Sequence, residues 1–295
     1  MKIAKLVPYE PKHRSSVVAC LRRNYEWMGN AAYEKVDRWV DPILTYEWAE
    51  PADTGYPHGG VLLDQEDVVG FLGMIYSVRY PGGERCIYAN PTTWAIDPGY
   101  RIYDFPSSDT LYGLADVIAD FTAGEVEIEK SLKMFGFRIC DDKSHFFRRT
   151  KVSGKLSCVQ RNPSDIHDEI LRREFEDHLC YGVECLDFAD DSGRDCLVFV
   201  QKKTPVNPFL DVESYANVVR CKDREFMRLH LKDIIGIIQE HLDTPAVKID
   251  SRFIAGGSVE DKTLKYHTDN IIRVIFDKGH TIDCPDYFYS ERILL

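Results

Sequence analysis

The sequence predicts an α/β fold in which one set of elements occurs twice. Helical and strand-like patterns alternate along the whole chain. The order helix, hairpin, strand, helix, strand appears in the first half and again in the second. The 295 residues, 44% of them hydrophobic and 29% charged, supply enough apolar surface for two ordinary domains and exclude a disordered chain. A division near Ser153 is expected, giving domains 1–152 and 153–295.

In the first half, Ile3 to Tyr9 reads as a strand ending at Pro8, and Pro11 opens a helix to about Tyr25. Val17, Val18, Leu21 and Tyr25 share one face of that helix. A second helix, Ala31 to Val40, is closed by Asp41-Pro42. Val61 to Leu63 and Val68 to Tyr80 form a hairpin around Gln65-Glu66-Asp67, and Pro81-Gly82-Gly83 turns the chain into a third strand, Arg85 to Ile96. Pro91 inside that strand removes a ladder hydrogen bond, so it marks an edge, a bulge or a place where strands part. Ser107, Ser108 and Asp109 are suited to cap a helix from Thr110 to Asp116. Val117 to Thr122 is a strand, Glu125 to Phe135 a helix stopped by Gly136, and Phe137 to Arg149 a strand or hairpin with a turn at Asp141-Asp142.

In the second half, Ser164 caps a helix with Ile166, Ile170, Leu171, Phe175 and Leu179 as its stripe. Val183 to Phe188 and Cys196 to Gln201 form a hairpin around the solvated tip Asp190-Asp191-Ser192-Gly193. Phe209 to Cys221 is strand-like. Asp223 to Leu242 is a helix lined by Met227, Leu231, Ile234, Ile235 and Ile238, and Ala246 to Ile254 is a strand.

Lys and Arg number 37 against 48 Asp and Glu, for a net charge of −11, which argues against sequence-independent nucleic-acid binding. The uncharged stretch Val68 to Val78 is far short of the roughly 20 apolar residues of a membrane span. The start, Met1-Lys2-Ile3-Ala4-Lys5, has no signal-peptide core, so a cytoplasmic location without a membrane partner is expected. Nine scattered cysteines without a Cys-x-x-Cys pair read as free thiols in a reducing compartment, and no metal site is expected. Phosphate-loop, dinucleotide-binding, nucleophile-elbow and zinc-protease signatures are all absent.

Three segments in order carry a family likeness: Val69-Gly70-Phe71-Leu72-Gly73, then Trp94-Ala95-Ile96-Asp97-Pro98-Gly99-Tyr100-Arg101, then Lys130-Ser131-Leu132-Lys133-Met134-Phe135-Gly136-Phe137. They resemble the hairpin strand, the "P-yR" strand end and the helix exit of the GNAT superfamily of acyl-CoA-dependent N-acyltransferases, over roughly residues 1–150. The repeated element order looks like the tandem arrangement of some members. The resemblance implies a mixed sheet flanked by helices in each half. It implies acetyl-CoA or another acyl-CoA as co-substrate, and transfer to an amine or hydroxyl of a small or sugar-like acceptor.

On that likeness, Trp94, Ala95, Ile96, Arg101, Ser107, Ser108 and Thr110 are the candidate co-substrate contacts, and Tyr88, Asn90 and Tyr112 the candidate catalytic groups. Two departures stand beside it. The family's glycine-rich loop is replaced by Arg101-Ile102-Tyr103-Asp104-Phe105-Pro106, and no carboxylate lies upstream on the same strand. They motivate an alternative, a non-catalytic GNAT-like binding protein. A tandem aminoacyl-tRNA-dependent ligase is disfavoured by the charge of −11.

Overall fold

The computed structural model describes residues 3–123, 133, 136–152, 154, 156–204, 213–259, 261–279 and 286–294. The chain divides into two compact units. The first comprises Met1–Phe121, Ile275–Ile282 and Tyr289–Leu295, and the second Thr122–Val274 and Asp283–Phe288.

The first unit contains β1 (Lys5–Pro8), α1 (Arg14–Asn24), α2 (Glu26–Gly29), α3 (Tyr33–Thr45), β2 (Gly59–Asp64), β3 (Asp67–Arg79), β4 (Cys86–Ile96), α4 (Asp104–Gly113) and β5 (Val117–Ala123). Its strands run in the order β1-β2-β3-β4-β5. All neighbours are antiparallel except the parallel pair β4 and β5. The uncharged run from Val68 to Val78 becomes the strand β3, buried on both faces. Val17, Val18 and Leu21 of α1 pack with Val61, Phe71 and Ala95 on one face. Leu72, Met74 and Tyr76 pack with Leu111 of α4 on the other. Each such fully buried aliphatic side chain contributes roughly 1.5–3 kcal/mol.

Two helix boundaries differ from the sequence reading. The helix expected to stop at Asp41-Pro42 runs on to Thr45, with Pro42 inside it. Burial of Val36, Val40, Ile43 and Leu44 outweighs the lost hydrogen bond. The helix expected from Thr110 begins at Asp104, so Ser107 and Ser108 lie within it rather than capping it.

The second unit holds β6 (Arg138–Arg148), β7 (Leu156–Arg161), α5 (Glu169–His178), β8 (Val183–Asp190), β9 (Asp195–Lys203), β10 (Tyr215–Cys221), α6 (Arg224–Leu242), β11 (Ala246–Asp250) and most of β12 (Tyr266–Asp277). A last helix, α7 (Glu291–Leu294), belongs to the first unit. The strand order includes β6-β11-β10-β9-β8-β7, again antiparallel except for β10 and β11. The compact units are drawn elsewhere than at 152/153, because β6 pairs with β11 from Ser144 opposite Asp250 to Arg148 opposite Ala246.

The hairpin tip at Asp190 is as expected: its Oδ1 accepts from the Ser192 and Arg194 backbone N–H groups. Asp141 lies inside β6 rather than in a turn. The cap of α5 is Asp168, which receives the Ile170 and Leu171 N–H groups, not Ser164. The strand expected to Ile254 ends at Asp250 in a 3-10 turn, and β7 and β12 went unanticipated. The helix expected at 125–135, apart from Lys133, and the start of the strand expected from 209 lie outside the described residues. No helix among the described residues is long and apolar enough to cross a membrane.

Candidate functional site

Parallel strands with free neighbouring edges expose peptide groups that a ligand can use. In the first unit, the β4–β5 ladder among the described residues consists of Tyr88 opposite Val117 and Ala89 opposite Ile118. Among the described residues no further β4–β5 pair follows, and β4 continues to Ile96. The register with β3 also shifts here. Trp94 faces Leu72 and Pro91 faces Met74, so Gly73 opposes both Thr92 and Thr93. This is a β-bulge, and Pro91 sits at its start. Gly73 permits it: a Cβ there would lie 2.9 Å from Thr92 Cγ2 and 3.1 Å from the Thr93 carbonyl oxygen.

The bulge changes which way side chains point. Ala89 and Ile96 belong to the face packed on α4. Alternation therefore places Tyr88 and Asn90 on the other face, while Trp94, after the bulge, packs on the α4 side with Tyr112. The structure thus brings Trp94 and Tyr112 together, with ring centroids 5.9 Å apart. It keeps Tyr88 and Asn90 on the opposite face.

Asn90 is buried, and its Nδ2 donates to the Tyr289 carbonyl at 3.0 Å. The Arg79 guanidinium lies 5.2 Å from the Tyr88 ring centre. Ser77, opposite Tyr88, has a buried Oγ without a hydrogen-bond partner.

Both peptide groups of Trp94 are taken by one side chain. The Tyr25 hydroxyl donates to the Trp94 carbonyl at 2.6 Å and accepts from its N–H at 3.1 Å. In an antiparallel pair, a residue's N–H and C=O point together either toward the partner strand or away from it. Those of Trp94 therefore point away from β3, toward the side on which β5 pairs with Tyr88 and Ala89. Arg23 and Asn24, next to Tyr25, hold Asp97 at the end of β4 with contacts of 2.9 Å and 2.8 Å. Sequence reasoning placed Tyr25 only on an apolar helix face and missed this clamp, since no local pattern links positions 23–25 to 94–97.

At the start of α4 the Trp94 indole N–H donates to Asp104 Oδ1 at 2.9 Å. Ala95, Ile96, Ser107 and Ser108 are buried, and Arg101 and Thr110 are exposed. The Ser108 hydroxyl donates to the Asp104 carbonyl and the Thr110 hydroxyl to the Pro106 carbonyl, both 2.9 Å. These hydroxyls therefore back-bond within the helix. Burial pushes the Tyr112 phenol well above its ordinary range. The hydrogen bond to Asp64 pushes Tyr100 up to about 12.

The first unit also has a cavity of about 310 Å³ lined by Tyr46, Trp48, His58 and Tyr76. Burial lowers the His58 pKa.

The second unit repeats the geometry. The parallel β10–β11 ladder pairs Ala216 with Val247 and Asn217 with Lys248, and β10 shifts register against β9 between Val218 and Arg220. Here the chain itself fills the edge. The Tyr287 N–H donates to the Val219 carbonyl at 2.9 Å, and the Tyr287 side chain is fully buried. Its hydroxyl bonds Asp250, and the Arg252 and Arg273 guanidiniums lie 4.4 Å and 4.9 Å from its ring centre. Among the described residues no cluster of three His, Cys, Asp or Glu is placed to hold a metal.

No protein-family model matches the sequence, and no curated protein matches it. Solved structures do. An acetyltransferase of Pyrococcus horikoshii, described as putative, matches at TM-score 0.54 and 11% identity, over 98% of this chain and 93% of that one. A GCN5-related N-acetyltransferase from Anabaena variabilis matches at TM-score 0.53 and 11% identity, over 92% and 72%. Saccharomyces cerevisiae N-myristoyltransferase with bound myristoyl-CoA matches at TM-score 0.50 and 11% identity, over 97% and 83%. At these identities the likeness is one of fold: the chain has the α/β fold of the GNAT superfamily, a mixed sheet flanked by helices, in a duplicated arrangement.

Proposed function

We propose that this protein is an acyl-CoA-dependent acyltransferase whose thioester lies along the β4 edge between Asn90 and Ile96. The observation that carries this reading is that, among the described residues, the β4–β5 ladder ends at Ala89 and Ile118, beside the Thr92–Thr93 bulge. The fold shared with acetyltransferases and N-myristoyltransferase supports it.

On this reading, an amine or hydroxyl of a small or sugar-like acceptor attacks the thioester carbonyl carbon. The carbon–sulfur bond breaks, coenzyme A leaves as the thiolate, and the acceptor's proton passes to water. Peptide N–H groups on the parted edge stabilise the oxyanion. The early N–H groups of α4 and the exposed Arg101 receive the pyrophosphate, as helix starts favour anions. Trp94 and Tyr112 line the co-substrate side. Tyr112 stays protonated because of its burial and donates a hydrogen bond to the sulfur. Tyr88 and Asn90 face the acceptor, with Asn90 held by Tyr289. Orientation of the two substrates supplies most of the rate, so no strong base is required. The reaction takes place in the cytoplasm on a small molecule, with no nucleic-acid or membrane partner.

Calorimetry with coenzyme A, acetyl-CoA and longer acyl-CoAs tests the reading. Saturable binding is expected, and no heat at millimolar ligand overturns it. One observation favours a second reading, a GNAT-like binding protein without transfer activity: the Tyr25 hydroxyl already occupies the Trp94 peptide groups. Coenzyme A released from the purified protein on denaturation would count against that alternative.

A further inference from the structure

We propose that Cys196 and Cys221 form a redox-active dithiol, a modification site that reacts with low-molecular-weight disulfides such as oxidised glutathione and closes to an intramolecular disulfide. The two sulfurs lie 3.7 Å apart. They stand on the adjacent antiparallel strands β9 and β10, where Cys221 faces Val198, two positions beyond Cys196. That spacing puts both side chains on one face of the sheet. Closing the bond brings the sulfurs from 3.7 Å to the roughly 2.05 Å of a disulfide.

Both thiols converge on the residue that caps α6. The Asp223 carbonyl is 3.6 Å from Cys196 Sγ and 3.3 Å from Cys221 Sγ, and the Asp223 N–H donates to Cys196 Sγ at 3.4 Å. The Cys221 thiol and the N–H groups of residues 222 and 223 hold Cys196 below the ordinary thiol range, while Cys221 is pushed up. Two thiols this close interact, so they titrate as a pair. Cys20, Cys158 and Cys185, by contrast, are each pushed up chiefly by burial.

Access comes through Cys221, which is half-buried, whereas Cys196 is buried. A surface depression of about 650 Å³ is lined by Asp195, Lys222, Asp223 and Arg224, so its walls include the chain neighbours of both cysteines.

The chemistry balances. Cys221 loses its proton to solvent, and the Cys221 thiolate attacks one sulfur of the small disulfide. A mixed disulfide forms and one small thiolate leaves. Cys196 loses its proton to solvent, attacks the Cys221 sulfur and displaces the second small thiolate. The two protein thiols are oxidised, and one small disulfide is reduced to two thiols.

The test equilibrates the full chain with mixtures of oxidised and reduced glutathione, quenches with acid, alkylates the remaining thiols and maps peptides by mass. The expected result is a crosslinked Cys196–Cys221 peptide lacking two hydrogens, restored by reductant. Cys196→Ser is expected to accumulate the glutathione adduct at Cys221. The proposal is overturned if the wild-type pair stays alkylatable while the exposed Cys180 acquires glutathione. It is overturned equally if Cys196→Ser, folded by circular dichroism, leaves Cys221 unmodified under those conditions.

Discussion

The Tyr25 hydroxyl bridges the N–H and C=O of Trp94, 3.1 Å and 2.6 Å away, on the β5 side of β4, past the last β4–β5 pair among the described residues. One side chain thereby supplies the donor and the acceptor that a neighbouring strand would supply. Tyr25→Phe leaves both peptide groups without that partner, at a cost of about 1–3 kcal/mol if they remain dry. The variant is expected to melt at a lower temperature than the wild type. A coenzyme A arm would then meet an uncovered edge, so its affinity and its melting-temperature shift are both expected to rise. Calorimetry and thermal melts with and without ligand check this. Weaker binding in the variant would mean that Tyr25 shapes the edge for the ligand instead of covering it.

Gly73 is the second test of the edge, because the bulge depends on it. A valine there places Cβ against Thr92 Cγ2 at 2.9 Å and the Thr93 carbonyl at 3.1 Å. Gly73→Val is expected to lose about 1–3 kcal/mol of stability through overpacking, and to lose coenzyme A affinity with it. Gly113→Ala is the control. At this position, the last residue of α4, a Cβ meets nothing within 4 Å, and no loss of either property is expected. Urea unfolding and calorimetry on the two variants separate the outcomes.

Much of the scaffold was legible because local chemistry and burial agree. The apolar run Val68 to Val78 had to be a buried strand, and Pro91 had to disturb the one after it. The long helix ending at Leu242 was written in its stripe, from Met227 to Ile238. The clamp on Trp94 was not legible. Tyr25 and Trp94 are 69 residues apart, and Tyr25 fits an apolar helix face equally well. The opposed faces of Asn90 and Trp94 were hidden for a related reason. Strict alternation puts positions 90 and 94 on one face, and only the extra residue at Thr92–Thr93 reverses that. Asp141 read as a turn residue because aspartate pairs usually are. Its burial is made possible by Ser251 and Arg252, more than a hundred residues away.

His58 gives a pH signature. Burial lowers its folded pKa, against smaller opposing contributions from the Ile43 backbone and Glu47. The unfolded chain takes up this proton near pH 6.5, whereas the folded chain resists it. Stability from this group is therefore present above about pH 6.5 and is lost as pH falls through the lower folded value. His58→Gln is expected to melt with a shallower decline between neutral and mildly acidic pH than the wild type. An unchanged slope in thermal melts across that window would remove His58 as the cause.

Asp250 works at lower pH. Burial alone would raise its pKa, but Arg273, Lys248, Arg252 and the Ser144 hydroxyl hold it well below the ordinary carboxylate range. Arg273 Nε is 3.1 Å from its carboxylate and Arg252 Nη2 3.4 Å. The stabilisation is present above the unfolded pKa of about 3.9 and fades as pH falls toward the folded value. Asp250→Asn is expected to cost about 3–5 kcal/mol at neutral pH, because buried cations lose their counter-charge. The gap from the wild type should narrow below about pH 4. Urea unfolding at both pH values reads it.

If the chain binds acyl-CoA as proposed, Tyr287 limits it to one molecule per chain. The second unit has its own bulge and its own short parallel ladder, so geometry alone would offer a second slot. There, however, the Tyr287 N–H bonds the Val219 carbonyl, and its buried side chain is held by Asp250 beneath Arg252 and Arg273. A ligand entering that edge would have to expel a fully buried aromatic ring and strip a buried carboxylate of a hydrogen bond, both unfavourable. Calorimetric titration is therefore expected to give one coenzyme A per chain. Gly73→Val, which disturbs the first edge alone, is expected to weaken that single event without uncovering another. A stoichiometry of two, or a residual site in the variant with wild-type affinity, would show that the Tyr287 edge opens to ligand.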